Sequence, residues 1–565
     1  MTESTEQNPP DSQYPWTQHY PPGLSWDKEY IPRSLPDMFD QAVATYGNRI
    51  CSEFMGRTLT YNEIGQLVDR AARGLADLGI GKGSKVGLLL PNTPTYIIYY
   101  YAILKTGACV VNFNPLYSLR ELEYQIKDSQ TELMVTLDLK LMFDKVEALM
   151  EKGVLKRSII ANFSKLLPSV KSFLFKLVKG KEIAKWQNSP VIGQIMASEK
   201  LLFNTGKKVV VDIDPSNDLA VLQYTGGTTG VPKGAMLTHA NLTINVDQII
   251  DWVTNLEPGH ERIIGILPFF HVFAMTTILN FGIAHGAELL LVPKFEIDDT
   301  LKLIGKRKPT VMPGVPTLYT AMLNHPKIKS FDLSSLKFCI SGGAGLPVEI
   351  RNQFQEMSGC SLIEGYGLSE TSPMATANPV KGSVRDGSIG VPVPATHISI
   401  RSIDDANVEM PLTESGEICI KGPQVMPGYW NKPEATAEVF VDDYFRTGDV
   451  GYIAEDGFIY IVDRLKDMII ASGFKIYPRQ IEEAIYRFSA VEEVTVIGIP
   501  DEYRGEAPKA FIKLKEGQVA TAAEILMFLK GEISKIELPA EIEFRKELPK
   551  TMIGKLSRKE LREED

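Results

Sequence analysis

Residues 224–234 read Tyr-Thr-Gly-Gly-Thr-Thr-Gly-Val-Pro-Lys-Gly. Gly226, Gly227 and Gly230 let backbone N–H groups turn toward a ligand at positive φ, and their missing side chains let that ligand come close. The hydroxyls of Thr225, Thr228 and Thr229 add donors, and Lys233 adds a point charge. Such a loop suits a polyphosphate. It is not a Walker A loop, because Lys233 precedes its glycine, Gly234, and no Gly-Lys-Ser/Thr occurs. Residues 219–224 read as a short buried strand and 240–253 as a helix, so the loop is expected to join a strand to a helix. A flexible surface linker is the plain alternative, but linkers rarely mix Thr, Pro and Lys between a buried strand and a helix.

Other candidates lie far off in the chain but agree in chemistry. Glu364-Gly-Tyr-Gly-Leu-Ser-Glu-Thr371 follows a strand. Tyr366 offers a ring to stack on a base, Gly365 and Gly367 allow close approach, Glu370 offers an oxygen to magnesium, and Thr371 offers a donor to phosphate. Tyr444-Phe-Arg-Thr-Gly-Asp449 ends in a carboxylate that can take both hydroxyls of a ribose. Pro549-Lys-Thr-Met-Ile-Gly-Lys555 sets a lysine on a glycine turn. Singly, each could be a structural turn.

A chain of 565 residues exceeds one ordinary core, so two or more domains are expected. The balance of 44% hydrophobic and 23% charged residues is globular. The net charge of −10 argues against a general nucleic-acid binder. Cys51, Cys109, Cys339, Cys360 and Cys419 are scattered, with no C-x-x-C pair, which fits a reducing compartment and neither a disulfide framework nor a zinc site. The polar N-terminus lacks the apolar core of a secretory signal.

Strand and helix patterns alternate from about residue 85 to 400, as in 85–90, 96–105, 109–112, 338–340 and 362–364. This predicts an α/β fold of stacked, mostly parallel sheets covered by helices. Shorter, turn-bounded strands at 397–401, 417–421 and 458–462 predict a small β-rich subdomain. Residues 463–467, Asp-Arg-Leu-Lys-Asp, form a polar interruption before a compact α+β pattern. The expected division is an arm over 1–30, a large domain over 31–462, a hinge at 463–467 and a small mobile domain over 468–565.

Two stretches bear on membranes. Residues 263–287 are charge-free and long enough to span a bilayer, but Pro268, His271, Asn280, Gly282, His285 and Gly286 interrupt them. They read as buried strand and helix. Residues 156–181 carry seven basic residues and no acidic one, interleaved with Ile, Leu, Val and Phe. That suits an anionic membrane surface, and equally a solvated insertion packed on the body.

Taken together, these motifs resemble the adenylate-forming superfamily of acyl-CoA synthetases, luciferases and peptide-synthetase adenylation domains, over about residues 30–562. They occur in the family order: the 225–230 loop, Pro268-Phe-Phe-His271, Ser341-Gly-Gly-Ala-Gly345, Glu364 to Thr371, Arg446-Thr-Gly-Asp449, Asp463 to Asp467 with Ser472-Gly473, and Gly554-Lys555. Gly422-Pro-Gln-Val-Met-Pro-Gly-Tyr-Trp430 and the basic stretch add likeness to bacterial long-chain fatty-acid–CoA ligases. The resemblance implies ATP, Mg2+, coenzyme A and a fatty acid as reactants, and an acyl-adenylate intermediate. It implies that Thr225, Gly226, Gly227, Thr228, Thr229, Gly230 and Lys233 hold phosphates, with Thr225 and Glu370 facing the metal. Gly343, Glu364, Gly365, Tyr366 and Gly367 surround the adenine. Asp449 grips the ribose with Arg464 beside it, Thr371 touches the α-phosphate, and Lys555 reaches the reacting oxygens. The C-terminal domain is expected to turn about Lys466 between the two steps, bringing Ser472, Gly473 and Phe474 to the thiol.

His271, alone among Phe269, Phe270, Val272 and Phe273, reads as a core residue or, by the resemblance, as a gate between acyl pocket and adenylate. Ser369 stands where relatives often have threonine, and Ile470 where some carry a lysine, so no lysine role in the second step is carried over. The implied location is cytoplasmic, with peripheral contact at the inner membrane face through 156–181. Alternatives are a medium-chain or aromatic substrate, a carrier-protein-loading adenylation enzyme, or a non-catalytic lipid- or nucleotide-binding relative. The oligomeric state, a homodimer included, stays open.

Overall fold

The computed structural model describes residues 14–225, 232–382, 384–472, 474–501, 503–551 and 555–564. The described strands form three sheets. In the first, Ile195–Ala197, Arg157–Ala161, Leu133–Leu137, Lys85–Leu89, Cys109–Phe113 and Leu219–Thr225 run parallel in that spatial order. Cys109–Phe113 and Leu133–Leu137 are buried at every position, as strands covered on both faces must be.

In the second sheet, Ile50–Phe54, Glu288–Leu291, Arg262–Gly265, Val311–Gly314, Phe338–Ser341 and Ser361–Gly367 are parallel. The strand Ser361–Gly367 is a seam. Beyond it the sheet turns antiparallel through Met374–Ala377, Ser388–Pro392, Ile459–Arg464, Tyr444–Ile453, Gly416–Lys421 and His397–Arg401. The helix Pro94–Lys105 is buried along its whole length. Its tyrosine hydroxyls find partners at both sheets: Tyr96 donates to Asn112 Oδ1 (2.6 Å) and to the Phe269 carbonyl, and Tyr101 donates to Asn280 Oδ1 (2.9 Å). Each of these buried hydroxyls is thus satisfied, which burial demands.

A separate core gathers Ile469, Ile481, Ile485, Val496, Ile512 and Leu529 from the third sheet and the helices Pro478–Tyr486 and Ala522–Leu529. Thr521 caps the latter helix in a reciprocal box with Glu524. The mixed α/β architecture agrees with the alternation in the sequence.

The charge-free stretch 263–287 folds as the strand Arg262–Gly265 and a buried run of helical turns, including a π-helix at Met275–Asn280. Among the described residues, no helix is long and apolar enough to cross a membrane. The basic stretch divides in two. Arg157–Ala161 is an interior strand, and Phe163 and Leu167 are buried. Only the helix Ser169–Lys179, which buries no residue, turns Val170, Phe173, Leu174, Leu177 and Val178 to the outside.

Candidate active site

The phosphate-type loop starts where the strand Leu219–Thr225 ends, but the next element is not the expected helix. Lys233–Thr238 forms a second strand, antiparallel to the first, with Thr225 opposite Lys233. The loop therefore closes a hairpin, and the helix His239–Trp252 begins after it, capped by Thr238. Gly226, Gly227, Thr228, Thr229 and Gly230 lie outside the described residues.

The segment 422–430 fastens this hairpin. Trp430 N–H donates to the Gly234 carbonyl (2.8 Å) and Met236 N–H to that of Gly428 (3.0 Å). Asn241 donates to the carbonyls of Pro423 and Val425. Lys233 Nζ lies 5.2 Å from the centre of the Tyr429 ring, a cation–π distance. The Tyr429 hydroxyl in turn donates to Glu370 Oε1 at 2.8 Å. One tyrosine thus spans the phosphate-side lysine and the carboxylate assigned to metal. Burial raises the Glu370 carboxyl above its usual range, and the Tyr429 hydrogen bond works against that.

The strand Ser361–Gly367 delivers Glu364, Gly365, Tyr366 and Gly367. A side chain at Gly367 would collide with the Pro373 carbonyl, so only glycine fits there. Gly343, at φ +82°, sits in the loop after the neighbouring strand Phe338–Ser341. Thr371 is fully buried; its hydroxyl accepts from Leu368 N–H (2.8 Å) and donates to the Pro373 carbonyl. The Tyr366 hydroxyl donates to Asp449 Oδ2 (2.7 Å), while Asp449 Oδ1 pairs with Arg464 Nε (3.0 Å). Asp449 and Arg464 face each other on adjacent strands. A stacking ring, a ribose-type carboxylate and a guanidinium therefore meet at one point.

Lys555 arrives there from the C-terminal part of the chain. Its ammonium is pulled down to about 8 by burial and by the Arg464 guanidinium, against the attraction of Asp449. Burial, with the Lys555 charge added, pulls His271 down to about 4. His271 is therefore a neutral imidazole near pH 7. Its Nδ1 accepts the Phe273 N–H (3.3 Å), which leaves the proton on Nε2. Lys555, His271, Arg464 and Asp449 form one electrostatic neighbourhood.

Lys466 lies on the short turn Leu465–Asp467, where partial loss of solvent around its ammonium and the Arg464 guanidinium lower its pKa. Ser472 has φ +51° and donates its N–H to the Arg504 carbonyl (2.7 Å). Phe474 is exposed. Phe474 begins the edge strand Phe474–Ile476 of the third sheet, and Ser472 stands in the turn before it. Gly473 lies outside the described residues.

Three contributors are not singled out by sequence reasoning. Tyr429 stands out in the sequence only as part of a family run. Arg558 binds Asp463 (2.9 Å), Asp467 (3.1 Å) and Glu482 (2.8 Å), gathering both ends of the polar linker. Arg479 faces the buried Glu364, and Gly345 makes room for it. Their roles depend on contacts between residues far apart in sequence, and no local signal marks those contacts.

A single buried carboxylate is a sparse site for a resident metal, and no cluster of three or more His, Cys, Asp or Glu suited to one occurs among the described residues. Glu370 instead fits a magnesium ion that arrives with phosphate oxygens as its other ligands.

Residues 39–430 match the AMP-binding enzyme family, and residues 480–555 match the AMP-binding enzyme C-terminal domain. The chain belongs to the AMP-binding enzyme family. It is 43% identical to a long-chain-fatty-acid–CoA ligase of Bacillus subtilis, covering 98% of each chain. It is 37% identical to a long-chain-fatty-acid–CoA ligase of Salmonella typhimurium, covering 94% of each. The ATP-bound structure of MatB from Rhodopseudomonas palustris superposes with a TM-score of 0.81 at 27% identity, covering 94% of this chain and 99% of that one.

Proposed function

We propose that the protein is an AMP-forming long-chain-fatty-acid–CoA ligase using ATP, Mg2+ and coenzyme A. The observation that supports adenylation is the bonding of Tyr366 and Arg464 to Asp449, with Lys555 and His271 in the same electrostatic neighbourhood. The likeness to the Bacillus subtilis ligase over almost the full chain supports the acyl substrate and the thiol acceptor.

In the first step a carboxylate oxygen attacks the α-phosphorus of ATP, and the bond to the β-phosphate oxygen breaks, giving acyl-adenylate and pyrophosphate. Both reactants are anions, so alignment and positive charge matter more than an acid or base. Lys233 and the 225–230 loop hold the outer phosphates. Glu370, steadied by Tyr429, and Thr225 would hold the magnesium ion, whose charge would offset that of the phosphates. Tyr366 stacks on adenine beside Gly343, Gly365 and Gly367. Asp449 accepts both ribose hydroxyls while Arg464 holds its other edge. Thr371 exchanges its Pro373 bond for an α-phosphate oxygen, and Lys555 supplies charge where it develops. His271, neutral and fixed at the start of the helical run, lines the acyl entrance.

In the second step the coenzyme A thiol, losing its proton, attacks the acyl carbon and expels AMP. The charge of Lys555 is felt beside Arg464 and Asp449 while Ser472 and Phe474 are exposed, which supports reading this arrangement as that of the first step. A small domain beginning after residue 467 turns about Lys466 on the 463–467 linker, removes the lysine and brings the 472–474 loop to the thiol.

The outward apolar face of Ser169–Lys179, flanked by Lys176, Lys179 and Lys181, contacts an anionic membrane surface. Sedimentation with anionic vesicles, compared for the native protein and Phe173→Glu, tests this. Unchanged binding by the variant rejects the contact, and vesicle-independent self-association assigns the face to a homodimer instead.

The substrate reading is tested by coenzyme A-dependent AMP release with saturated acids from hexanoate to stearate and with benzoate. The highest kcat/KM is expected with the longer acids. A maximum at benzoate or hexanoate replaces the long-chain substrate, and silence with every acid replaces the enzyme with a binding protein.

A further inference from the structure

The helix Pro478–Tyr486 opens the small α+β unit, and its first turn carries Arg479 toward the nucleotide-facing loops. The backbone N–H of Arg479 donates to Asp463 Oδ2 (2.6 Å), and its Nε pairs with Glu483 (3.0 Å). Its guanidinium fits against Gly345, where an added Cβ would stand 2.8 Å from the Arg479 Cζ. Within its electrostatic reach is Glu364, a buried carboxyl pushed up to about 7 by burial and drawn back chiefly by Arg479. The Glu364 carboxyl also accepts the Leu346 N–H, so it ties together the strand that carries Tyr366 and the loop that carries Gly343. A cation on the small unit thus enters a slot between two nucleotide-facing loops of the large one.

We propose that Arg479 is a positioning residue for adenylation. Inserted beside Gly345 and facing Glu364, it latches the small unit in the arrangement that holds Lys555 inward. The inference rests on the two-position reading above and adds to it the contact that selects one position. Arg479 touches neither reacting atom. It acts through Lys555, by fixing the body that carries it, and through Glu364, by steadying the loops that face the adenine. Once the small unit turns, the same contact must break. The latch therefore favours the first half-reaction and gives nothing to the second.

The test separates the half-reactions. Arg479→Ala is expected to lower ATP–pyrophosphate exchange by about tenfold, the size of one lost charged contact, and to leave thioester formation from synthetic acyl-adenylate unchanged. Arg479→Lys keeps the charge and is expected to recover part of the exchange rate. Gly345→Ala fills the slot and should mimic Arg479→Ala. The double variant should be no worse than either single one, because both changes remove the same contact. Retained thioester formation shows that each variant is folded. Undiminished exchange in Arg479→Ala, equal loss of both half-reactions, or additive defects in the double variant would overturn the latch. Lys555→Ala, assayed alongside, tests the underlying reading: if it too fails to separate the half-reactions, the two-position scheme falls and the latch with it.

Discussion

Two lysines serve the site, and they are held by opposite means. Lys233 belongs to a hairpin strand whose other edge is hydrogen-bonded to the 428–430 segment, and its ammonium rests over the Tyr429 ring. Lys555 is tied locally to Thr551, whose N–H donates to its carbonyl (2.6 Å) and whose hydroxyl accepts its N–H (3.2 Å), and the helix Arg558–Glu564 comes after it. That helix is fixed by ion pairs: Arg558 to Asp463, Asp467 and Glu482, and Arg562 to Asp467 (2.9 Å). Ladder hydrogen bonds and packing make the first lysine part of the framework. Ion pairs at the edge of a linker can be exchanged for water, so the second lysine can be delivered and withdrawn. On the proposed mechanism, one site would hold a permanent cation for the phosphates and a removable one for the chemistry.

The largest effect should come from the removable cation. Lys555→Ala is expected to lower ATP–pyrophosphate exchange by about three orders of magnitude, as for loss of one preorganised electrostatic group. Exchange near the native rate would erase the distinction between the lysines. Lys466→Pro, which fixes φ at the proposed pivot, should cut thioester formation by about a hundredfold, the scale of a small misplacement of reacting groups, while exchange persists. Equal loss of both would move the pivot elsewhere.

How far the sequence carries this contrast depends on distance along the chain. The Gly/Thr loop, the Tyr366 run, Asp449 and Lys555 are legible because each pairs a chemical group with glycines in a short window. The parallel sheets are legible from runs such as 85–90 and 109–112, the latter lying in the strand Cys109–Phe113, buried at every position. The strand Lys233–Thr238 is not, because it ends its sheet yet is largely buried, so the alternation that marks a half-exposed strand is absent. Tyr429 and Glu370 are separated by 59 positions, and their bond exists only after the 422–430 segment folds back onto the hairpin. The basic stretch misleads in extent: its first part supplies an interior strand, and only the eleven residues of Ser169–Lys179 are amphipathic surface.

Smaller effects sharpen the permanent half of the comparison. Tyr429→Phe keeps the ring under Lys233 and removes the hydrogen bond to Glu370. It should raise the KM for magnesium–ATP by about tenfold, the value of one hydrogen bond to a charged group. Unchanged KM and unchanged magnesium dependence would reduce Tyr429 to a packing residue.

The gentlest test is pH. Lys555 has its ammonium lowered to about 8, so the free enzyme binds that proton below pH 8 and loses it as pH rises. The kcat/KM for adenylation, which reports free-enzyme ionisations, should fall above about pH 8. Lys555→Arg stays charged, so its descending limb should vanish even at lower overall activity. A limb that survives in the arginine variant would assign the ionisation to another group.

The central claim is that Lys555 serves carboxyl activation alone and leaves before the thiol arrives. Its most direct measurement is single-turnover thioester formation by Lys555→Ala from synthetic acyl-adenylate and coenzyme A. The native rate is expected. A loss as deep as the loss of pyrophosphate exchange would place the lysine in both steps and contradict the account.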